Sequence, residues 1–262
     1  MAPIDLDGLG GAEYLDLSCK AEELCAITTV AHLDKLGGRA VGCLSLLGKA
    51  LNALSGAAAC RWGCNNGDHG VEFLLGRAAS GGHAAYRLMM HGFYDESLAQ
   101  TRSLGEIANL FALFASEESA FGTWKASTER ERLIAFSPVK VRIRLEGLGV
   151  SAPIDKDRYS RLCEAGVHVS PTTRPNAHSP DSIPRLGGEF QPVGFLVALN
   201  ELSWALCCAM ATGAHLARVG RVADRLGSAA LSLNEQIGGV TVLTERDAHD
   251  HIGLARGDGT RE

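Results

Sequence analysis

The chain has 262 residues, 46% of them hydrophobic and 21% charged, with a formal net charge of −5. Such a composition supports a buried core and excludes disordered, collagen-like and disulfide-stapled mini-protein classes. Without overall positive charge, a local basic patch is the one electrostatic route left to nucleic acid.

Only 6% of residues are aromatic, while 31 are glycine, which favours helices packed closely through small residues over a β-sandwich. The eight cysteines (Cys19, Cys25, Cys43, Cys60, Cys64, Cys163, Cys207 and Cys208) follow no framework spacing, and the first residues, MAPIDLDGLG, lack a basic and apolar leader. Reduced thiols and a cytoplasmic location are expected. Asn200, Glu201, His215 and Arg218 interrupt the longest apolar stretches, so no membrane span is expected.

In chain order, Leu24, Ile27 and Ala31, then Cys43, Leu46, Leu47, Leu51 and Leu54, keep helical spacing on either side of Gly37-Gly38. The pattern predicts a helical hairpin over 12–57. CRWGCNNGDHG (60–70) reads as a loop, followed by a helix over 71–79, a break at Gly81-Gly82 and a long helical segment over 83–117. That segment carries an apolar stripe (Leu104, Ile107, Ala108, Phe111, Phe114) and, on an adjoining face, Arg102, Glu106 and Asn109.

A further helix is expected over 121–135. Ser137-Pro138 then reads as an N-cap and a first helical proline. The alternation in VKVRIRLE (139–146) also fits a strand, but helix is favoured. DKDRYSRLCEAGVHV (155–169) spaces Tyr159, Leu162, Cys163 and Val167 helically, with Gly166 weakening the last turn. Five of the eight prolines (Pro171, Pro175, Pro180, Pro184, Pro192) fall in 170–192, predicting a long, extended loop, a kind that is usually functional or disordered. Leu196, Leu199, Leu202, Leu206 and Met210 mark a final helical region over 193–236. The reading is an all-α bundle: one domain over 1–244 with a core bundle over 71–236, then a flexible tail over 245–262.

Arg161 and His168 are the leading chemical candidates. A guanidinium holds phosphate and an imidazole moves a proton, a pairing suited to cleaving RNA without metal. Seven residues apart on an ideal helix they stand about 10 Å apart, so convergence requires a break at Gly166 or a second chain. The plain alternative is a helix-end histidine near a solvated arginine. Between 130 and 161 the basic residues Arg130, Arg132, Lys140, Arg142, Arg144, Lys156, Arg158 and Arg161 outnumber Glu131, Glu146, Asp155 and Asp157, giving +4 against −9 elsewhere. A basic face of Arg130, Arg132, Lys140, Arg142, Arg144 and Arg158 would supply sequence-independent affinity for RNA; a merely solvated helix face is the commoner explanation.

The succession of GEIANLFALF (105–114) with Arg102 and Glu106, a basic segment, and a Tyr-x-x-Leu-Cys helix ending in Val-His-Val-Ser-Pro (Tyr159 to Pro171) resembles uncharacterised bacterial all-helical proteins related to the HEPN superfamily, over roughly 83–171. The resemblance implies a helical bundle, often dimeric, and metal-independent ribonuclease activity of the kind found in toxin and antiphage systems, with an Arg, four to six residues and His as its active site. Arg161 and His168 match the longest spacing, although the residue after the arginine, commonly polar in active members, is Leu162 here. Inactive members serve as binding or partner modules.

On this resemblance, His168 would act on the ribose 2′-hydroxyl or the leaving 5′-oxygen while Arg161 steadies the phosphate, leaving a 2′,3′-cyclic phosphate and sparing DNA. Tyr159 and Glu164 would orient the imidazole or bind substrate. Arg102, Glu106 and Asn109 would either support His168 from behind or form a purely structural network. His83, Arg87 and His91 read as a solvated or interface stripe.

Cys60, Cys64, Asp68 and His69 admit zinc, yet the cysteine spacing is not the usual knuckle and Trp62 fits a packed turn equally well. No cofactor or metal is expected, and no nucleotide-binding or common hydrolase motif is present. The expectation is a homodimeric, metal-independent endoribonuclease acting on RNA, with a protein partner such as an antitoxin as a candidate regulator. The rival is an interaction or sensor module of a bacterial defence or toxin–antitoxin system. An exposed apolar stripe within 12–57 would favour the module, and two His168 side chains meeting across a dimer cleft would favour the enzyme.

Overall fold

The computed structural model describes residues 10–237 except 66, 172, 180 and 182. The expected tail over 245–262 lies outside the described residues. Among those described there are ten α-helices and no strand, so the chain is an all-α bundle.

The helices are α1 (Gly11–His32), α2 (Gly38–Ala58), α3 (Gly70–Met90), α4 (Tyr94–Ser116), α5 (Ala120–Ala126), α6 (Glu129–Ala135), α7 (Pro138–Gly147), α8 (Lys156–Gly166), α9 (Pro192–Leu216) and α10 (Gly220–Ile237), with a 3-10 turn at Leu33–Leu36. α9 is the central rod: 16 of its 25 residues are buried, from Val193 to Gly213. It packs against α2, α3, α4 and α10, and α4 in turn carries α7 and α8. By length and composition α2 and α9 could cross a membrane, but 83% of the most apolar stretch of α9 is buried within the fold, as in a core helix.

Several boundaries differ from the sequence pattern. α3 runs unbroken through Gly81-Gly82 because these glycines serve packing. A Cβ at Gly82 would stand 2.6 Å from Leu51 and 3.1 Å from Leu206, and one at Gly81 would stand 3.3 Å from Leu104. The chain turns instead at Gly92, at φ +84°, a conformation open to glycine, so 83–117 is two helices. The expected helix over 121–135 splits at Thr128, whose hydroxyl accepts from the Glu131 N–H while the Glu131 carboxylate accepts from the Thr128 N–H. The final helical region breaks at 217–219. α1 and α2 do not form a packed hairpin either, since α1 contacts chiefly the 3-10 turn and α3.

Within the loop over 170–192, Asn176, His178 and Gln191 are tied to the start of α4. Asn176 Oδ1 accepts from the N–H groups of Tyr94 and Asp95 at 2.7 and 3.1 Å, capping α4, and the Asn176 N–H donates to Asp95 Oδ2 at 2.7 Å. His178 Nε2 donates to Asp95 Oδ1 at 3.0 Å. Gln191 closes the network: its N–H donates to the buried Tyr94 hydroxyl, and its side chain donates to the Asn176 carbonyl. The free N–H groups of a helix start supply the donors that such a cap needs.

One ion pair crosses the core. Arg158 of α8, 6% exposed, donates from Nε and Nη2 to both oxygens of Glu201 on α9, at 2.7 and 3.0 Å, and its guanidinium stacks on Trp204. Removing one member leaves the other charge buried and unpaired. Arg158→Ala should lower unfolding stability by about 3–5 kcal/mol in urea titrations, whereas Arg158→Met with Glu201→Leu should recover most of that loss. An Arg158→Ala midpoint equal to wild type would refute the assignment.

Candidate functional site

α8 starts where Asp155 caps it, accepting from the Arg158 N–H at 2.7 Å. It ends at Gly166, which packs on the first turn of α4; a Cβ there would stand 2.3 Å from the Asp95 carbonyl oxygen. His168 therefore lies beyond the helix rather than two turns along its face. Its N–H donates to the Cys163 carbonyl at 2.8 Å, and its side chain is exposed. Arg161 is half-buried. Neither side chain is held by another residue among those described, so both are free to meet a ligand.

The residues expected to support this pair gather elsewhere. The Tyr159 hydroxyl donates to Glu106 Oε1 at 2.8 Å and accepts from Arg102 Nη1, which also donates to Glu106 at 2.7 Å. The guanidinium of Arg142, from α7, lies over the Tyr159 ring at 4.6 Å. Burial, and then the hydrogen bond it donates to the Glu106 carboxylate, push the Tyr159 phenol above its usual range. Tyr159 and Arg161 are separated by about 200° of helical turn, so this cluster occupies the other flank of α8. Arg102 Nε and Arg142 Nη1 are buried without hydrogen-bond partners among the described residues. Arg142 also lines an open groove of about 850 Å³ between α7 and the start of α8, with Glu146, Asp155 and Lys156.

Asn109 serves the backbone. It donates to the Ile154 carbonyl and accepts from the Ile154 N–H, each at 2.9 Å, tying the α7–α8 connection to α4. Glu164 is exposed and has no partner among the described residues.

The basic face is thinner than the sequence implies. Arg158 does not belong to it, being consumed by Glu201. Arg144 pairs with Glu117 at 2.6 Å and stacks on Phe136, while Arg132 donates to the Ser127 carbonyl. Arg130 and Lys140 remain exposed, with no ion-pair partner among the described residues.

Two further features stand apart. α1 buries only Cys25 and Thr29 and leaves Leu24, Ile27 and Val30 exposed on its other side. Ile27 and Val30, with Tyr86, Met90, Arg87 and His91, line a groove of about 490 Å³, the last two belonging to the stripe noted in the sequence. Between α2 and α3, Cys60, Cys64 and His69 converge. The adjoining Cys64 thiol, ahead of burial, pushes the Cys60 thiol up to about 11.

No family model matches the chain, and neither a curated protein nor a solved structure matches it. Tyr159→Phe removes the hydroxyl that bridges Arg102 and Glu106. It should lower thermal stability by about 1–2 kcal/mol and leave the far-ultraviolet circular dichroism unchanged; an unaltered melting curve would show that the bridge carries no weight.

Proposed function

We propose that the protein is an all-helical interaction module that acts as a homodimer joined through α1. The exposed apolar face of α1 supports this reading: Leu24, Ile27 and Val30 are 58%, 66% and 59% exposed, turned away from buried Cys25 and Thr29, with Ile27 and Val30 forming one wall of the groove against α3. A helix apolar on both sides belongs in a covered setting, and exposed apolar surface of this kind marks an interaction site. The occupant that suits the pattern is a second copy. Two α1 helices crossing at Ile27 about a two-fold axis bury the same apolar half from each side. The exposed Asp16–Lys20 ion pair then stays wet, about 10–16 Å along the axis from the crossing.

Sedimentation of the wild-type chain should give a dimer, and Ile27→Glu a monomer with unchanged circular dichroism. A monomeric wild type, or an Ile27→Glu variant that still dimerises, would sink the proposal. Association only with a different protein would replace the second copy by a heterologous partner, as in a sensor or antitoxin pairing.

A second reading, a HEPN-like metal-independent endoribonuclease working in the cytoplasm as a toxin or antiphage effector, is favoured by one observation. Arg161 and His168 are accessible and unengaged at the end of α8, while the cationic side chains of Arg158, Arg144 and Arg132 are tied down elsewhere. In this reading Arg161 holds the scissile phosphate of RNA and His168 transfers the proton. With transfer RNA in EDTA, His168→Ala should cut about 100-fold more slowly than wild type or worse, with Arg161→Ala also impaired. Equal cutting by all three would assign the activity to another site or a contaminant.

A further inference from the structure

The connection between α2 and α3 brings two thiols and an imidazole into one cluster, independently of the α1 surface and of the α8 terminus. The donor atoms of Cys60, Cys64 and His69 lie within 4.8 Å of one another. Cys60 Sγ stands 3.5 Å from His69 Nδ1. In a tetrahedral shell with metal–sulfur bonds of about 2.3 Å and metal–nitrogen bonds of about 2.1 Å, the sulfur–nitrogen edge is about 3.6 Å. The observed separation, that of a thiol–imidazole hydrogen bond without metal, also fits two ligands sharing one ion.

The loop that presents these atoms is anchored on several sides. Asn65 donates from its N–H and side chain to Glu72 Oε1 at 2.5 and 3.0 Å, and its own Oδ1 accepts from the N–H groups of Arg218 and Val219. Asp68 accepts from the Gly70 N–H and pairs with Lys125. Trp62 packs so closely on Gly56 that a Cβ there would stand 2.5 Å from the indole. Cys60 and His69 both hold positive φ, +51° and +53°, which non-glycine residues keep only when their surroundings impose it.

Beside the loop lies a buried carboxyl group. Glu72 is 2% exposed, and its Oε2 has no hydrogen-bond partner among the described residues. A buried carboxylate with an idle oxygen, held by the residue next to Cys64, favours a cation in its neighbourhood. Cys64 is exposed, whereas Cys60 and His69 are half-buried, so the cluster opens to solvent on the Cys64 side.

We propose that Cys60, Cys64 and His69 bind a thiophilic divalent cation of the zinc class, with water as the fourth ligand. Soft thiolates with imidazole select such ions over calcium and magnesium. On binding, each thiol releases its proton to solvent and forms a sulfur–metal bond, and neutral His69 gives its Nδ1 lone pair. The two thiolates balance the charge of the ion, and no electron changes hands. The ion staples the end of α2 to the start of α3.

The test is titration of the reduced, metal-free chain with Co2+ as a spectroscopic probe and then with Zn2+. One equivalent of Co2+ should raise thiolate charge-transfer and intense tetrahedral d–d absorption, Zn2+ should bleach both, and Zn2+ should raise the melting temperature reversibly with EDTA. Cys60→Ser with Cys64→Ser, and separately His69→Gln, should lose the tetrahedral spectrum while Cys19→Ser keeps it. A reduced wild type that develops no tetrahedral spectrum overturns the proposal. So does a double-serine variant, folded by circular dichroism, that takes up Co2+ with the wild-type spectrum.

Discussion

Covering α9 is the requirement that the other elements serve. A 25-residue helix that is apolar around most of its circumference has to be surrounded, and α2, α3, α4 and α10 form its sheath. Close approach is achieved with small residues at the contacts. Gly82 admits Leu51 and Leu206, and Gly194 lies where a Cβ would meet the Tyr94 ring at 2.6 Å. Interior density of this order leaves little slack, and the charged pair that enters it, Arg158 with Glu201, is held by two hydrogen bonds.

Those polar groups position the surface that faces ligands. The pair of Arg158 and Glu201 fixes the rotation of α8 about its axis, and with it which flank carries Tyr159 and which carries Arg161. Gly166 then fixes where α8 stops. The freedom of Arg161 and His168 is thus the by-product of a helix whose neighbouring charges are spent on architecture. The same reasoning separates α1, which has no such polar anchor into the core and keeps an apolar side outward.

Much of the fold was legible in the sequence because apolar spacing reports buried faces directly. The stripe Leu104, Ile107, Phe111 and Phe114 is buried, and Ser137-Pro138 begins α7 despite its alternating pattern. What the spacing misreads are residues whose role depends on the partner across the contact. Gly81-Gly82 reads as a breaker until Leu51, Leu104 and Leu206 are seen to need the room. Arg158 counts as surface charge until Glu201 is opposite it, 43 residues away in the chain. The polar line Arg102, Glu106 and Asn109 was visible, but its division into a Tyr159 cluster and a backbone clamp depends on elements that no local pattern links. Cys60, Cys64 and His69 have an unusual spacing, and only the pinned loop between α2 and α3 draws them together.

The anchoring of the proline-rich loop also bears on the order in which the chain acquires its structure. Asn176 meets the N–H groups of Tyr94 and Asp95 at sequence separations of 82 and 81, and Gln191 meets Tyr94 at a separation of 97. The donors it needs exist only once the first turn of α4 has formed. Contacts of such long sequence separation are entropically slow to close, whereas the neighbouring pairs α2–α3 and α3–α4 form locally. The loop is therefore a latch that closes on α4 only after the first turn of that helix has formed.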